Sequence, residues 1–223
     1  ITDANDAMHV MLNLRKALAV SCNITFARVA MELGDATLQK TSSDFGIGDY
    51  FLFSDLVVQN SAYPSVNRSL KELAWTGPGQ SKLQLTPMHM ALIASAIAND
   101  GVMMEPRLLL DVTNNAGISR YQFYGKEYKR VMSKQDADII ADYMQEAARS
   151  GTATASAVSG LKIAGKTGSA QIDAQDQTNS WYIGFIDDVR YPYAVCVAIE
   201  DAGSGGSVAA PIAGQLFKYL SGK

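Results

Sequence analysis

The last third of the chain shows the period of half-buried β-strands. Residues 161–166 alternate Leu, Ile and Gly with Lys, Ala and Lys, and two more strand-like runs follow at 180–186 and 193–199. The link between these two runs, residues 187–192, is rich in turn formers and too short for a crossover helix. The pattern therefore predicts three strands paired antiparallel.

A helix is predicted after the third strand. A Gly/Ser stretch at 203–207 leads into residues 208–220, where apolar side chains recur at helical spacing. We expect one face of this helix to pack against the sheet, formed by Val208, Ile212, Leu216, Tyr219 and Leu220.

The first two thirds of the chain are predicted to be mainly helical. Val10, Leu14 and Leu18 indicate a helix over residues 6–20, and residues 24–33 continue the spacing until Gly34, a residue that commonly ends helices. The stretch 39–79 is polar and turn-rich, which predicts loops and short helices.

Two further helices carry recognisable start signals. Thr86 and Pro87 supply a cap and a first-turn proline to a helix that runs through Ile97 and ends at 99–101. Ser133-Lys-Gln-Asp136 is a near capping box, with Asp in place of the usual Glu or Gln, before another apolar stripe. Helices first and antiparallel strands last predict an α+β fold, with a helical lobe over about 1–150 and the sheet with its final helix over about 151–223.

Composition sets loose bounds on the function. The 223 residues carry a net charge of −3 without a basic run, which argues against nucleic acid as a partner. No apolar run approaches the roughly 20 residues of a membrane span, and the first residues do not resemble a signal peptide. The two cysteines, Cys22 and Cys196, are too few for a disulfide framework and are predicted to be buried thiols.

Residues 160–167 read Gly-Leu-Lys-Ile-Ala-Gly-Lys-Thr, which fits two incompatible motifs. One is the phosphate-binding loop of nucleotide hydrolases; the other is the Lys-Thr-Gly triplet of serine acyl-transfer enzymes, at Lys166, Thr167 and Gly168. A phosphate loop must open a helix, because the phosphates bind its free N–H groups. The residues after Thr167 are polar and lack a helical stripe, so the nucleotide hydrolase remains a remote alternative.

Further motifs resemble the penicillin-binding protein transpeptidase family, in the order in which that family carries them. Ser21-Cys-Asn23 is similar to its Ser-x-Asn region, and residues 79–107 are similar to its Gly-Gln, Thr-Pro, Ala-Asn-Gly-Gly and Pro stretch. Residues 164–171, 181–185 and 209–211 match the remaining family marks, so the resemblance covers essentially the whole chain. It implies an antiparallel sheet flanked by helices with a mostly helical lobe, the serine transpeptidase or β-lactamase-like fold.

Ser21 is preferred to the second Ser-x-Asn serine, Ser65, as the site residue. Ser65 follows Pro64 in an irregular polar stretch, whereas Ser21 lies at the junction of two apolar-striped helices that can aim it into a cleft. Ser21 as a mere cap of the second helix is compatible with this role. The two histidines, His9 and His89, lack metal-ligand spacing and support no Ser-His-Asp triad, so we expect structural roles for both and neither a metal nor a cofactor.

The family nucleophile, in a Ser-x-x-Lys motif, has no credible counterpart in this chain. In that motif a helical turn places the lysine amine beside the serine hydroxyl. The one match, Ser159 to Lys162, follows Ser-x-Asn, contains a glycine and runs into the predicted strand, where the two side chains would point to opposite faces. We therefore expect the nucleophile, the first strands of the sheet and a membrane anchor in a segment before Ile1.

The resemblance assigns a role to each matched residue. Ser21 would relay a proton between the missing lysine and the leaving nitrogen, and Asn23 would hydrogen-bond the substrate amide and hold that lysine. Lys166 would supply positive potential for a carboxylate substrate. Thr167 would bind that carboxylate, beside Gly168, and the N–H of Ser169 would be one donor to the oxyanion.

The implied activity is peptidoglycan D,D-transpeptidation on the outer face of a bacterial cell membrane. Its partners would be stem peptides and β-lactams, which mimic them. A β-lactam-sensing receptor domain or a β-lactamase carries the same motifs on the same fold and remains an alternative, as does a catalytically inactive binding module. The stretch from Gly79 to Gly101 favours a cell-wall enzyme, because it is a mark of the penicillin-binding proteins.

Overall fold

The computed structural model describes residue 3 and residues 11–50, 58–64, 69–172 and 177–223, and its elements form an α+β architecture. The helices are α1 (Leu14–Ala19), α2 (Asn23–Asp44), α3 (Leu70–Thr76), α4 (Pro87–Ala98), α5 (Lys134–Ser150) and α6 (Ala209–Ser221), with a short 3₁₀ turn at Thr154–Ser156. The strands are β1 (Val102–Met104), β2 (Asp111–Thr113), β3 (Ser119–Gln122), β4 (Glu127–Arg130), β5 (Ile163–Gln171), β6 (Thr178–Ile186) and β7 (Ala194–Ile199).

The three predicted strands form one antiparallel sheet in the order β5-β6-β7. The register pairs Ile163 with Ile186 and Gln171 with Thr178, so β5 pairs along its whole length. The alternation that predicted the first strand covers residues 161–166, whereas the strand itself runs from Ile163 to Gln171. Among the described residues, β5 and β7 are the edges of this sheet.

The two faces of the sheet pack against different helices, because alternate side chains of a strand point to opposite sides. Ile163 and Tyr182 lie on the face covered by α6, where Phe217 packs with them. Ala164 and Phe185 lie on the opposite face, where they contact residues of α4 and α5. Lys166 shares the face of Ala164, and Thr167 shares the face of Ile163.

The final helix was predicted correctly, but its buried face was not. The sequence indicated a face that contains Ile212, Leu216 and Tyr219, yet Ile212 and Leu216 are more than one third exposed and Tyr219 is 83% exposed. The face against the sheet is instead made of alanines and one aromatic residue: Ala209, Ala210, Ala213 and Phe217. Small side chains let the helix axis approach the sheet closely, a preference that apolar spacing alone does not reveal.

The two N-terminal helices differ from the prediction at their boundaries. Residues 6–10 of the predicted first helix lie outside the described residues, and α1 begins only at Leu14, because Asn13 caps it through its side chain. The second helix does break at Gly34, whose φ of 76° is left-handed, but the chain resumes helical geometry beyond it to Asp44.

The predicted start signals of α4 and α5 are confirmed. Thr86 Oγ1 accepts the N–H of His89, with Pro87 in the first turn of α4. Ser133 Oγ accepts the N–H of Asp136 at the start of α5. Both caps satisfy N–H groups that a helix leaves free at its first turn.

Two small antiparallel ribbons, β1 with β4 and β2 with β3, lie between α4 and α5 and were not predicted. Their strands have three or four residues each, too short for a clear alternation. The lobe before residue 150 is thus helical with two β-ribbons, and the division of the chain near that residue stays a prediction. No helix in the described parts of the chain is long and apolar enough to cross a membrane.

Candidate active site

Ser21 lies at the end of α1 in a left-handed conformation, with φ of 56°. The N–H of Cys22 bonds the Ala17 carbonyl over 2.9 Å, and the N–H of Ser21 bonds the Leu18 carbonyl over 3.2 Å. These two bonds define a Schellman motif, in which the left-handed position is normally taken by glycine. The serine is therefore held in a strained backbone geometry that fixes the direction in which its side chain leaves the backbone.

Helix α1 is anchored to α5 by a buried carboxylate. Glu146 is 3% exposed, and Lys16 donates to it over 2.7 Å, with Arg149 and Ser150 as further donors. The hydrogen bond from Lys16 is the main cause that lowers the pKa of Glu146 to about 2. This cluster holds α1 against α5, and so constrains the helix that ends at Ser21.

The last turn of α1 also contacts the segment that follows α5. The N–H of Thr152 donates to the Ala19 carbonyl over 3.0 Å. A Cβ at Gly151 would lie 2.1 Å from that same carbonyl oxygen, so glycine is required for this close approach. The two segments are therefore joined backbone to backbone next to Ser21.

Asn23 is the first residue of α2, and a carboxylate from a distant position caps this helix. Cys22, the N-cap residue, makes no side-chain cap bond. Instead Asp3 Oδ1 accepts the N–H of Asn23 at 2.5 Å and that of Ile24 at 3.3 Å, while Cys22 Sγ donates to Asp3 Oδ2. A carboxylate at a helix N-terminus satisfies free N–H groups and complements the helix dipole.

The Lys166 side chain connects the Lys-Thr-Gly strand to Ser21 of the Ser-x-Asn motif. Its Nζ donates to Ser21 Oγ over 2.8 Å and to the Thr167 carbonyl over 2.5 Å. Burial lowers the pKa of Lys166 from its usual value near 10.5 to about 8. The predicted juxtaposition of Ser21 and Lys166 is thus observed in the described structure.

Thr167 points to the other face of β5 and is buried there. Its hydroxyl lies 2.6 Å from Thr152 Oγ1, so the Thr152 side chain contacts the strand motif while its backbone contacts α1. Thr152 was not predicted as a site residue; its signal in the sequence is Gly151 at the end of α5, which marks where the chain turns back toward the sheet.

The backbone of Ser169 faces the free side of β5. Hydrogen bonds from Asp187 N–H to the Lys162 carbonyl and from Ile172 N–H to the Gln177 carbonyl show that even-numbered residues pair with β6. The N–H and C=O groups of Thr167 and Ser169 therefore point away from the sheet. The Ser169 hydroxyl accepts the N–H of Gly205 over 3.1 Å, so this side chain holds the neighbouring loop.

The remaining sequence candidates do not join this cluster. Ser159 and Gly160 form an exposed turn rather than part of a strand, and the Lys162 ammonium pairs with Asp187 over 2.6 Å. His89 is buried in α4 with its Nε2 2.8 Å from the Phe45 carbonyl, in agreement with a structural role. His9 and the pair Ser65 and Asn67 lie outside the described residues.

The nucleotide-binding alternative is wrong. Gly165, Lys166 and Thr167 lie in the middle of a nine-residue strand that pairs with β6, where no helix N-terminus is available for a phosphate. Among the described residues no group of His, Cys, Asp or Glu side chains is arranged to hold a metal ion.

The cluster combines groups that bind negative charge. The Lys166 ammonium, with Ser21 Oγ beside it, and the outward N–H of Ser169 belong to the same free-edged strand, while the buried Thr167 hydroxyl lies on the opposite face and is bonded to Thr152. Such an array can bind a carboxylate and stabilise an oxyanion that develops nearby. It suits acyl transfer to or from an anionic substrate better than chemistry that needs a metal ligand set.

Comparison with known proteins gives one consistent result. A family model described as the penicillin binding protein transpeptidase domain matches residues 1–218. Peptidoglycan D,D-transpeptidase PbpA of Mycolicibacterium smegmatis is 30% identical over 210 residues, which cover 90% of this chain and 42% of that protein. The chain thus spans less than half the length of this relative.

Solved structures share the fold. The D,D-transpeptidase domain of a peptidoglycan glycosyltransferase from Eggerthella lenta matches with a TM-score of 0.90 at 29% identity, over 99% of this chain and 56% of that chain. The penicillin G acyl-enzyme complex of penicillin-binding protein A from Mycobacterium tuberculosis matches with a TM-score of 0.84 at 27% identity, over 97% and 50%. The predicted α+β fold is confirmed by these likenesses.

Proposed function

The chain belongs to the penicillin-binding protein transpeptidase family, and from that premise we propose that the whole protein is a peptidoglycan D,D-transpeptidase that β-lactams acylate. The observation that carries the proposal is the hydrogen bond from Lys166 Nζ to Ser21 Oγ, which joins the Lys-Thr-Gly strand to the Ser-x-Asn motif. Because the stem peptides that it would cross-link lie outside the cell membrane, the domain would act on the extracytoplasmic side.

The proposed reaction proceeds in two acyl transfers. A serine hydroxyl attacks the carbonyl of the penultimate D-Ala of one stem peptide, an ester bond forms, and the terminal D-Ala leaves with the proton. An amine of a second stem peptide then attacks the ester, which forms the cross-link and returns the proton to the serine. A β-lactam would follow the first step only, because its opened ring stays attached at the leaving-group side.

Each residue of the cluster would have a separate role that follows from its chemistry. Lys166 and Thr167 would bind the terminal carboxylate, since an ammonium and a hydroxyl both donate to it. The outward N–H of Ser169, next to Gly168, would donate to the oxyanion. Ser21 Oγ, already bonded to Lys166, would pass a proton toward the leaving nitrogen, and Asn23 at the start of α2 would hydrogen-bond the substrate amide.

The attacking serine would come from a segment outside these 223 residues. We do not assign this role to Ser159, because Lys162 of the same motif pairs with Asp187 at the surface. We therefore expect the 223 residues alone to form no covalent adduct with penicillin. Intact-mass measurement after incubation tests this: an adduct on Ser159 would show that the internal Ser-x-x-Lys is active, and one on Ser21 would overturn its proton-transfer role.

The test of the function is acylation of the full-length protein by a labelled penicillin. A stoichiometric adduct that persists for many minutes supports a penicillin-binding transpeptidase. Rapid turnover of a chromogenic cephalosporin would indicate a β-lactamase instead, and the absence of any adduct would contradict the proposal. Release of D-Ala from a stem-peptide donor in the presence of an acceptor amine then tests transpeptidation itself.

A further inference from the structure

Gln80 contacts the edge strand of the site, although the proposed function gives it no role. Its side-chain Nε2 donates a hydrogen bond of 3.0 Å to the Ser169 carbonyl. Ser169 carries the outward-facing N–H of the proposed oxyanion site, and its carbonyl lies on the same free edge of β5. The carboxamide of Gln80 therefore lies beside the reacting region.

The position of Gln80 is fixed by the way α3 ends. The N–H of Gln80 bonds the Trp75 carbonyl over 2.9 Å, and the N–H of Gly79 bonds the Thr76 carbonyl over 3.0 Å. With Gly79 at φ of 85°, these bonds form a Schellman motif, the same motif that holds Ser21. The backbone of Gln80 is thus determined locally.

The end of α3 is also tied to the helix that begins at Asn23. A Cβ at Gly77 would lie 2.1 Å from the carbonyl oxygen of Phe26 in α2, so the two backbones are in close contact. The segment that leads to Gln80 therefore packs directly against the backbone of α2. The half-buried Gln80 side chain, held through its carboxamide to the Ser169 carbonyl, is the part that can turn by a change of rotamer.

The geometry of Ser169 specifies what this edge accepts. A residue of an extended peptide placed opposite it would exchange two hydrogen bonds, with its C=O accepting from the Ser169 N–H and its own N–H donating to the Ser169 C=O. If the attacked carbonyl accepts from the Ser169 N–H, the amide N–H of the same substrate residue should donate to the Ser169 carbonyl. In the structure, Gln80 donates to that carbonyl instead.

We propose that Gln80 is a specificity-determining residue whose carboxamide imitates the substrate amide at Ser169 and must be displaced when a peptide or β-lactam binds. The proposal rests on the proposed function, because it concerns the same strand edge. A ligand with an amide N–H beside the attacked carbonyl donates to the Ser169 carbonyl in place of Gln80. A ligand without that N–H makes no such bond, so Gln80 remains bonded to Ser169.

The size of the effect follows from the exchange of one hydrogen bond for another. A neutral hydrogen bond contributes little net free energy in water, and its removal changes a binding equilibrium by about 2- to 10-fold. Removal of the Gln80 carboxamide should therefore raise the second-order rate of acylation by amide-bearing ligands by about that factor, because the acceptor is then vacant before the ligand arrives.

The experiment compares two penams on the full-length protein. Benzylpenicillin carries an acylamino N–H on the carbon next to its β-lactam carbonyl, and penicillanic acid has only hydrogens there. Acylation rates are measured for the wild type, for Gln80→Ala and for Lys82→Ala. Lys82 lies on the same loop but pairs with Glu72, so it is the matched control.

The expected result is that Gln80→Ala accelerates benzylpenicillin about 2- to 10-fold and leaves penicillanic acid unchanged, while Lys82→Ala changes neither rate. Equal changes with both ligands would overturn the proposal, since they would indicate a general effect on the cleft. Unchanged rates with both ligands would overturn it as well, while acylation itself would leave the proposed function intact. If neither ligand acylates the wild type, the proposed function fails and this inference fails with it.

Discussion

The Lys166 ammonium donates a hydrogen bond to Ser21 Oγ over 2.8 Å, which joins the middle of β5 to the end of α1. The backbone fixes both partners. Lys166 lies in a strand paired along its whole length, and Ser21 lies in a Schellman motif attached to the segment after α5. Because neither partner has to be ordered when a ligand arrives, the pair is preorganised for electrostatic work.

Lys166→Ala should slow acylation of the full-length protein by penicillin by about 10²–10³-fold, the usual cost of losing one preorganised electrostatic group. The fold should change little, because the backbone pairing of β5 does not depend on this side chain. Stopped-flow acylation and thermal unfolding measure the two effects. Lys162→Ala is the control, since Lys162 is an exposed lysine that pairs with Asp187. An unchanged rate in Lys166→Ala would remove Lys166 from the site.

Ser21→Gly should be more stable than Ser21→Ala by about 0.5–1 kcal/mol. Both variants lose the hydroxyl, but only alanine keeps a Cβ in the left-handed conformation that Ser21 adopts at φ of 56°. Glycine removes that strain. Because glycine loses more conformational entropy on folding than alanine does, part of this gain is offset. Chemical denaturation of the two variants provides the comparison, and both should acylate slowly. Equal stability, or a more stable alanine variant, would show that the backbone is not strained.

Thr152→Val should reduce the second-order rate of acylation by about 2- to 10-fold, the effect of one neutral hydrogen bond. Valine keeps the shape of the side chain but removes the hydroxyl that lies 2.6 Å from Thr167 Oγ1. The Thr167 hydroxyl would then lose the partner that orients it. Thr154→Val, at an exposed position two residues later, is the control. If the two variants behave alike, Thr152 has no orienting effect on Thr167.

Local signals in the sequence predicted much of this fold. Strand alternation located β5, β6 and β7, and their short connection predicted the antiparallel pairing. Thr86 and Ser133 predicted the starts of α4 and α5, because capping depends on residues within one turn. The contact between Ser21 and Lys166, which 145 positions separate, follows from no local signal and was implied by the family resemblance.

Contacts between distant segments could not be predicted in this way. Asp3 caps α2 from 20 positions away, and Gln80 reaches Ser169 across 89 positions, without any periodicity that links the partners. The buried face of α6 was predicted wrongly for a related reason. Apolar spacing predicted that Ile212 and Leu216 are buried, whereas Ala209 and Ala213 are the buried residues, because only small side chains fit where the helix lies close to the sheet. The buried face of a helix can therefore be assigned only when the surface that it packs against is known.

Wild-type protein should lose stability faster than His89→Gln as the pH falls below about 6.5. Burial lowers the pKa of His89 in the folded state, whereas an unfolded histidine titrates near 6.5. Below that pH the unfolded chain binds a proton that the folded chain does not, so stability falls with pH. Glutamine keeps a donor for the Phe45 carbonyl but does not titrate. Thermal unfolding of both proteins between about pH 7.5 and 5.5 checks the difference, and parallel curves would contradict it.

Acylation and the contribution of Lys166 to folding stability should change in opposite directions as the pH rises from about 8 toward about 10. The folded pKa of Lys166 is lowered to about 8, from a usual value near 10.5. Between these values the unfolded chain holds a proton that the folded chain has released, so the contribution of Lys166 to stability rises with pH. Over the same window the folded protein loses the positive charge that binds a carboxylate, so acylation by anionic penicillins should slow.

Lys166→Met isolates both trends, because methionine has a similar length and does not titrate. The stability difference between wild type and this variant, from chemical denaturation at several pH values between about 7.5 and 10, should shift in favour of the wild type. The wild-type acylation rate should fall over the same range, and the much lower rate of the variant should lack this fall. If the stability difference stays constant with pH, the Lys166 ammonium keeps its ordinary pKa and the fall in acylation must come from another group.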